Sequence, residues 1–232
     1  MASYKWLIFD ADGTLFDFRE AERLALLGLA DDFGVSSHSE GRDAALARYH
    51  RINSQLWRDV ERGTVRPSEV ATERFRLWFG ELQLDADPHV VGQYYTQRLA
   101  SHSVLLPGAQ HAIETLSSRY RLLLATNGLS AVQRPRFAAS PITPYFADIV
   151  ISEELGVAKP DPAFFDAAFA AMGQPAKHEV LMVGDSLDAD MQGAIHYGID
   201  CCWCNFDGGT HTLPVTYVVD RLERLIEELL QP

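Results

Sequence analysis

Residues 5–15 read K-W-L-I-F-D-A-D-G-T-L: a short apolar run, two aspartates flanking one small residue, then a glycine. The apolar run at 6–9, ending at polar turn residues, predicts a strand. On extended backbone, residues two apart face the same way. Asp10 and Asp12 therefore leave the strand end side by side, and Gly13 permits a tight turn after them. Further β-rich apolar runs stand at 122–125, 149–152, 180–183, 201–204 and 215–219. From 122 onward they alternate with helical stretches. That alternation predicts an α/β fold with a doubly wound parallel sheet. The unbroken apolar character of 122–124 and 181–183 suits strands buried on both faces. At the end of the chain, Leu222, Leu225, Ile226, Leu229 and Leu230 have helical spacing and predict an amphipathic helix docked on the core.

The stretch between residues 9 and 122 is far longer than an ordinary βα connection. Most of it reads as helix, at 19–33, 41–62, 67–79 and 88–99. Residues 16–102 are accordingly expected to form an α-helical cap inserted after the first strand, with 1–15 and 103–232 forming the core. Leu106-Pro107-Gly108 marks the return to that core.

The 232 residues, 47% of them hydrophobic, suffice for such a core with a smaller insert. A net charge of −12 argues against nucleic acid and anionic membrane as partners. It permits a small phosphorylated metabolite if a cation and a lysine neutralise the pocket. No apolar run approaches the roughly 20 residues of a membrane span. The first strand begins at residue 5, leaving no room for a signal peptide, so a cytoplasmic location is expected. Cys201, Cys202 and Cys204 lie in an apolar stretch without metal-site spacing. They are expected to be buried thiols, in keeping with a reducing compartment.

Three further islands follow apolar runs: T-N-G at 126–128, G-V-A-K-P at 156–160 and G-D-S-L-D-A-D at 184–190. Ligands of open α/β sheets bind outside the carboxyl ends of the strands, so these islands should converge with Asp10 and Asp12. A carboxylate in the Asp10 position can attack phosphorus, while Asp12 gives and takes a proton. Thr126 and Asn127, with backbone N–H groups at a helix start, suit a phosphate oxygen. Ser130 is a candidate cap for that helix, and Pro135 predicts that it is short or kinked. Lys159 is one of only three lysines among 20 basic residues. Its compact charge can neutralise both Asp10 and a phosphoryl oxygen. Asp10, the backbone carbonyl of Asp12 and Asp185 supply oxygen ligands of the kind Mg2+ prefers. Asp190 is expected to hold Asp185 or Lys159, and Asp188 to face solvent.

In order and spacing these islands resemble the haloacid dehalogenase superfamily over the whole core, and the insert matches members with a helical cap after the first motif. The resemblance implies phosphomonoester hydrolysis through an aspartyl-phosphate. It puts the nucleophile on Asp10, acid/base work on Asp12, phosphate binding on Thr126 and Asn127, charge neutralisation on Lys159, and metal binding on Asp185 with Asp190. Asp12 argues for phosphate chemistry over dehalogenation. The absence of lysine from 16–102 argues against a Schiff-base phosphonate hydrolase. Residues 151–160 and 181–186, with Asn53, Leu56-Trp57, Arg74-Phe75 and Trp78 in the cap, are similar to bacterial pyrimidine 5′-nucleotidases. That similarity implies substrates such as UMP, dUMP and dTMP. A sugar-phosphate or phosphoglycolate-type phosphatase, or a phosphohexomutase, stays open. Phe16, Phe18 and Trp57 are candidates to stack on a pyrimidine. Asn53, one turn before Trp57, is a candidate to read its edge. A non-catalytic binding protein on this fold would be expected to lose the nucleophile, the acid or a metal ligand, and none is lost.

Overall fold

A computed structural model describes residues 4–230. The chain starts with β1 (Trp6–Phe9) and then forms α1 (Phe18–Asp32), α2 (Arg42–Glu61), α3 (Pro67–Leu82) and α4 (Pro88–Ala100). It continues through α5 (Ala109–Leu116), β2 (Arg121–Thr126), α6 (Ser130–Ala138), β3 (Phe146–Ile151), α7 (Ser152–Leu155) and α8 (Pro162–Met172). It closes with β4 (Val180–Gly184), α9 (Gln192–Tyr197), β5 (Asp200–Cys204), β6 (Tyr217–Val219) and α10 (Leu222–Leu230).

The strands form one parallel sheet in the order β3-β2-β1-β4-β5-β6. The chain builds outward from β1 to β3, then crosses back to lay β4 on the other side of β1. This reversal makes the β1/β4 boundary the switch point, where a crevice opens beyond the strand ends. Phe9 is in register with both Leu124 and Val183. One residue further on, Asp10, Ala125 and Gly184 therefore stand level at that crevice.

Side chains alternate across the sheet as the strand period requires. Leu7, Phe9, Leu122, Leu124, Leu181 and Val183 pack under α5 and α10. Trp6, Ile8, Leu123, Val180 and Met182 pack under α8 and α9. Helices on both faces account for the apolar runs. Two strands differ in extent from the sequence expectation. At one sheet edge, β3 starts at Phe146, earlier than expected, because exposed Ala147 and Asp148 break the apolar signal. At the other, β6 is confined to Tyr217–Val219, where it pairs with Cys202–Cys204 of β5. All three cysteines are buried and unpaired. Helix α6 is short, with Pro135 inside it.

Helices α1 to α4 pack around a separate apolar cluster. Its centre is aromatic: Tyr49 lies 5.1 Å from Trp78, 5.9 Å from Phe75 and 5.8 Å from Tyr95, measured between ring centroids. The Trp78 indole N–H donates to the Ala45 carbonyl at 2.7 Å, locking α3 to α2. Gly92 lets α4 approach α3, since a Cβ there would stand 2.7 Å from the Ala71 carbonyl oxygen. Leu129, Val132 and Ala158, from segments beyond the sheet ends, join the same cluster. The helical unit is thus seated over the crevice. No helix among the described residues is long and apolar enough to cross a membrane.

Trp78 is fully buried. Trp78→Ala should destabilise the protein by about 3–5 kcal/mol through the cavity it leaves. Urea unfolding monitored by far-ultraviolet circular dichroism checks this, and an unchanged midpoint would contradict the packing described.

Candidate active site

The crevice is organised by a buried ammonium group. Lys159 Nζ donates to Asp10 Oδ1 at 2.6 Å, to Asp190 Oδ1 at 2.6 Å and to the Ala125 carbonyl at 2.8 Å. All three of its protons thereby have acceptors. Its backbone is fixed by Asn127, whose amide donates to the Lys159 carbonyl at 2.8 Å and accepts from the Lys159 N–H at 2.9 Å. Burial works against the Lys159 charge, but Asp10 and Asp190 outweigh it and hold the ammonium above the usual lysine range.

Asp190 reaches Lys159 because the turn before α9 is widened. The N–H groups of Asp190 and Met191 both donate to the Ser186 carbonyl, at 3.1 and 3.0 Å. Such widened turns are frequent at functional sites. The second Asp190 oxygen accepts the Ser186 N–H at 3.1 Å. Asp185, at the end of β4, accepts from the Thr14 hydroxyl at 3.2 Å. Gly13 has φ +87°, and a Cβ there would run into the Asp185 carboxylate. Asp188 is exposed.

Asp10, Asp185 and Asp190 each bring a carboxylate oxygen within 4.8 Å of the others. Burial pushes the Asp10 carboxyl well above the ordinary carboxylate range, with Asp190 and Asp185 adding to the effect and Lys159 opposing it. Burial, reinforced by Asp190, pushes Asp185 up to about 7. Three carboxylates around one ammonium leave negative charge for a cation. Both Asp190 oxygens are engaged, whereas among the described residues Asp10 and Asp185 each have one oxygen without a hydrogen-bond partner. The set fits a hard divalent ion bound by oxygen.

Asp12 lies beside this group. Gln133 Nε2 donates to its Oδ2 at 2.6 Å, and Arg136 Nη2 stands 2.8 Å from its Oδ1. Arg136 is fully buried and also donates to the Gln133 side chain and the His102 carbonyl. The Thr126 hydroxyl completes the array, 3.4 Å from Gln133 Nε2. Gln133 and Arg136 escaped the sequence reading. Their spacing on one face of α6 is the signal the sequence carries, and the helix-breaking Pro135 between them obscures it. Ser130 does not cap α6 as expected. Leu129 occupies the cap position, while the Ser130 N–H donates to Glu153 at 2.8 Å and its hydroxyl to Glu154 at 2.5 Å.

A cavity of about 190 Å³ extends from Asp12 and Asn127 into the helical unit. Phe18, Trp57, Leu99 and Leu129 wall it, and Glu61 and Arg74 also reach it. Burial, with Asp188 and Asp190 adding, pushes the Glu61 carboxyl up to about 7. Two expectations are corrected here. Phe16 is buried, its ring packs on Phe137 at 5.3 Å within the sheet-side core, and it does not line this cavity. Asn53 is buried, with its amide N–H directed to Glu22 at 3.3 Å and its oxygen accepting from Arg74 at 3.3 Å, so it reads no ligand edge itself. Trp57 does line the cavity.

Residues 4–198 match the family of haloacid dehalogenase-like hydrolases. The chain is 36% identical to the pyrimidine 5′-nucleotidase PynA of Streptococcus pneumoniae, over 97% of this chain and 94% of that one. It is 33% identical to the pyrimidine 5′-nucleotidase YjjG of Escherichia coli, over 87% and 86%. The magnesium-bound crystal structure of the HAD-hydrolase YfnB of Bacillus subtilis superposes with a TM-score of 0.89 at 35% identity, covering 97% of this chain and 98% of that one.

Lys159→Met would leave Asp10 and Asp190 buried without their counter-charge, a loss of about 3–5 kcal/mol at neutral pH. Asp10, whose carboxyl burial pushes up, binds a proton more tightly folded than unfolded. Its contribution to stability is therefore lost as pH rises through the folded pKa and regained as pH falls. The deficit against the unmodified protein should narrow in acid. Urea unfolding of both proteins at neutral and mildly acidic pH measures it, and a pH-independent deficit would contradict the ion-pair account.

Proposed function

The chain belongs to the haloacid dehalogenase-like hydrolase family, and we propose that within it the protein is a magnesium-dependent phosphatase of pyrimidine nucleoside 5′-monophosphates. The observation that carries the reaction is the convergence of Asp10, Asp185 and Asp190 around Lys159, with Asp12 beside them. Similarity to PynA and YjjG along most of both chains supports the substrate class.

Asp10 attacks through one of its carboxylate oxygens, with Lys159 steadying the group by its bond to Oδ1. The bond between phosphorus and the nucleoside 5′-oxygen breaks as the Asp10–phosphorus bond forms, and Asp12 gives its proton to the leaving oxygen. Asp12 then takes a proton from water, whose oxygen attacks phosphorus. The Asp10–phosphorus bond breaks, releasing inorganic phosphate and restoring both aspartates. The Thr126 hydroxyl and the Asn127 backbone N–H hold phosphoryl oxygens, with the Asn127 side chain serving Lys159. Gln133 and Arg136 keep Asp12 aimed at the leaving oxygen. A magnesium ion held by Asp10, Asp185 and the Asp12 backbone carbonyl would stabilise charge on the phosphoryl group. Residues 16–102 act as the cap, and the nucleoside occupies the cavity beneath it. A cytoplasmic location, where such metabolites are abundant, belongs to the same proposal.

Asp10→Asn should leave the fold intact and reduce turnover of UMP by roughly 10⁴-fold or more, since the amide cannot serve as the nucleophile. Phosphate release by the folded variant at near the unmodified rate would sink the assignment. Exhaustive chelation should abolish phosphate release, and added magnesium should restore it. Full activity in protein shown to be metal-free by elemental analysis would overturn the magnesium requirement.

A further inference from the structure

Arg74 enters the cavity from the cap side as a buried cation whose bonding is incomplete. It is 2% exposed. Its Nη1 donates to Asn53 Oδ1 at 3.3 Å, while Nε and Nη2 have no hydrogen-bond partner among the described residues. Among the described residues it forms no ion pair within 4.0 Å. The rings of Tyr95 and Phe75 lie 4.5 and 5.1 Å from its guanidinium carbon. Their faces offset part of the charge but offer nothing to the in-plane N–H groups. A buried charge with unmet donors is strongly unfavourable unless something completes it.

Neighbouring residues aim this group. Glu22 accepts from the Asn53 amide N–H at 3.3 Å, which turns the Asn53 oxygen toward Arg74. Arg74 is thereby held while two of its nitrogens stay buried and unpaired, and it borders the same cavity as Asp12. The walls between are apolar and partly aromatic: Phe18, Trp57, Leu99 and Leu129.

We propose that Arg74 is a specificity-determining residue, whose free N–H groups donate to the carbonyl edge of the pyrimidine base. This inference rests on the nucleotidase reading and deepens it. A flat ring suits the apolar walls, and its carbonyl lone pairs lie in plane, where a guanidinium fork presents its protons. A leaving group ending in a carboxylate or second phosphate would bring further negative charge beside Asp12 and Glu61. A volume of about 190 Å³ is small, below the roughly 300–1,000 Å³ of pockets for drug-sized ligands, and favours one ring over two. Asn53, the candidate edge reader in the sequence, becomes the residue that positions the reader.

The test compares dTMP with two substrates that carry the same phosphate on a deoxyribose, using the full chain with magnesium. One is the 5′-monophosphate of the 2,4-difluorotoluene deoxynucleoside, which keeps the ring shape of thymine without its carbonyls. The other is 2-deoxyribose 5-phosphate, which has no base. The unmodified protein should have a kcat/KM for dTMP about 10- to 100-fold above that for the difluorotoluene analogue. Arg74→Met should remove that preference and leave 2-deoxyribose 5-phosphate unaffected. Arg74→Lys should restore it only in part, because the fork is lost. The unmodified protein's preference for dTMP is informative even where a variant fails to fold. Equal turnover of dTMP and its isostere by the unmodified protein would overturn the proposal while leaving the nucleotidase reading in place. So would an Arg74→Met loss as large on 2-deoxyribose 5-phosphate as on dTMP. A preference of the unmodified protein for a hexose phosphate over dTMP would overturn both.

Discussion

The Lys159 ammonium constrains everything around it. Its three acceptors come from different parts of the fold: Asp10 after β1, Ala125 in β2 and Asp190 in the turn after β4. A buried cation with three charged or dipolar partners is stable only if all three arrive together. The parallel register brings two of them level, since Phe9 aligns with Leu124 and Val183. The widened turn through Ser186 brings the third. The reciprocal bonds from Asn127 then set the height of the lysine itself. Sheet topology and site geometry are in this sense one constraint, because a register slip in β1 would turn Asp10 away from Lys159.

Charge decides how that constraint is used. One ammonium faces Asp10, Asp190 and Asp185, so the cluster carries surplus negative charge when all three are ionised. The upward pull of burial on Asp10 and Asp185 expresses the surplus. A divalent cation among the free oxygens would reverse that pull and favour the ionised form, as opposite charges at close range do. Glu61 feels the same surplus from the side of helices α1 to α4, through Asp188 and Asp190. A cation at this cluster would offset the surplus and so make room for an anionic phosphoryl group.

The sheet and the islands at its strand ends were legible because they are local. A short apolar run followed by Asp, Thr or Lys and a turn residue carries strand, end and chemical group within about ten residues. The helical insert was legible by length and periodicity. Contacts between elements were not. Arg136 reaches Asp12 across 124 sequence positions, by subtraction of the residue numbers, and its local mark is no more than its spacing from Gln133 on α6. Phe16 and Asn53 failed for a related reason. Each sits where a ligand contact was plausible by spacing, but tertiary packing claims Phe16 for the sheet-side core and Asn53 for a buried polar chain. Ser130 has the usual character of a cap, yet Glu153 and Glu154 draw it into other bonds.

These outcomes separate reaction from selectivity. Groups for the reaction stand on backbone whose position the sheet dictates, so a few motif residues locate them. Groups facing the cavity from above stand on helices, where a shift of one residue turns a side chain by about 100°. Their direction depends on how α2, α3 and α4 pack, and that packing rests on Tyr49, Phe75, Trp78 and Tyr95 rather than on any motif. Arg74 belongs to this second kind. It lies between Phe75 and Tyr95 on the aromatic side and Asn53 on the polar side. The apolar packing that stabilises the helical unit therefore also aims the unpaired donors of Arg74, and on the proposed reading changes in that packing redirect selectivity without touching the carboxylates below.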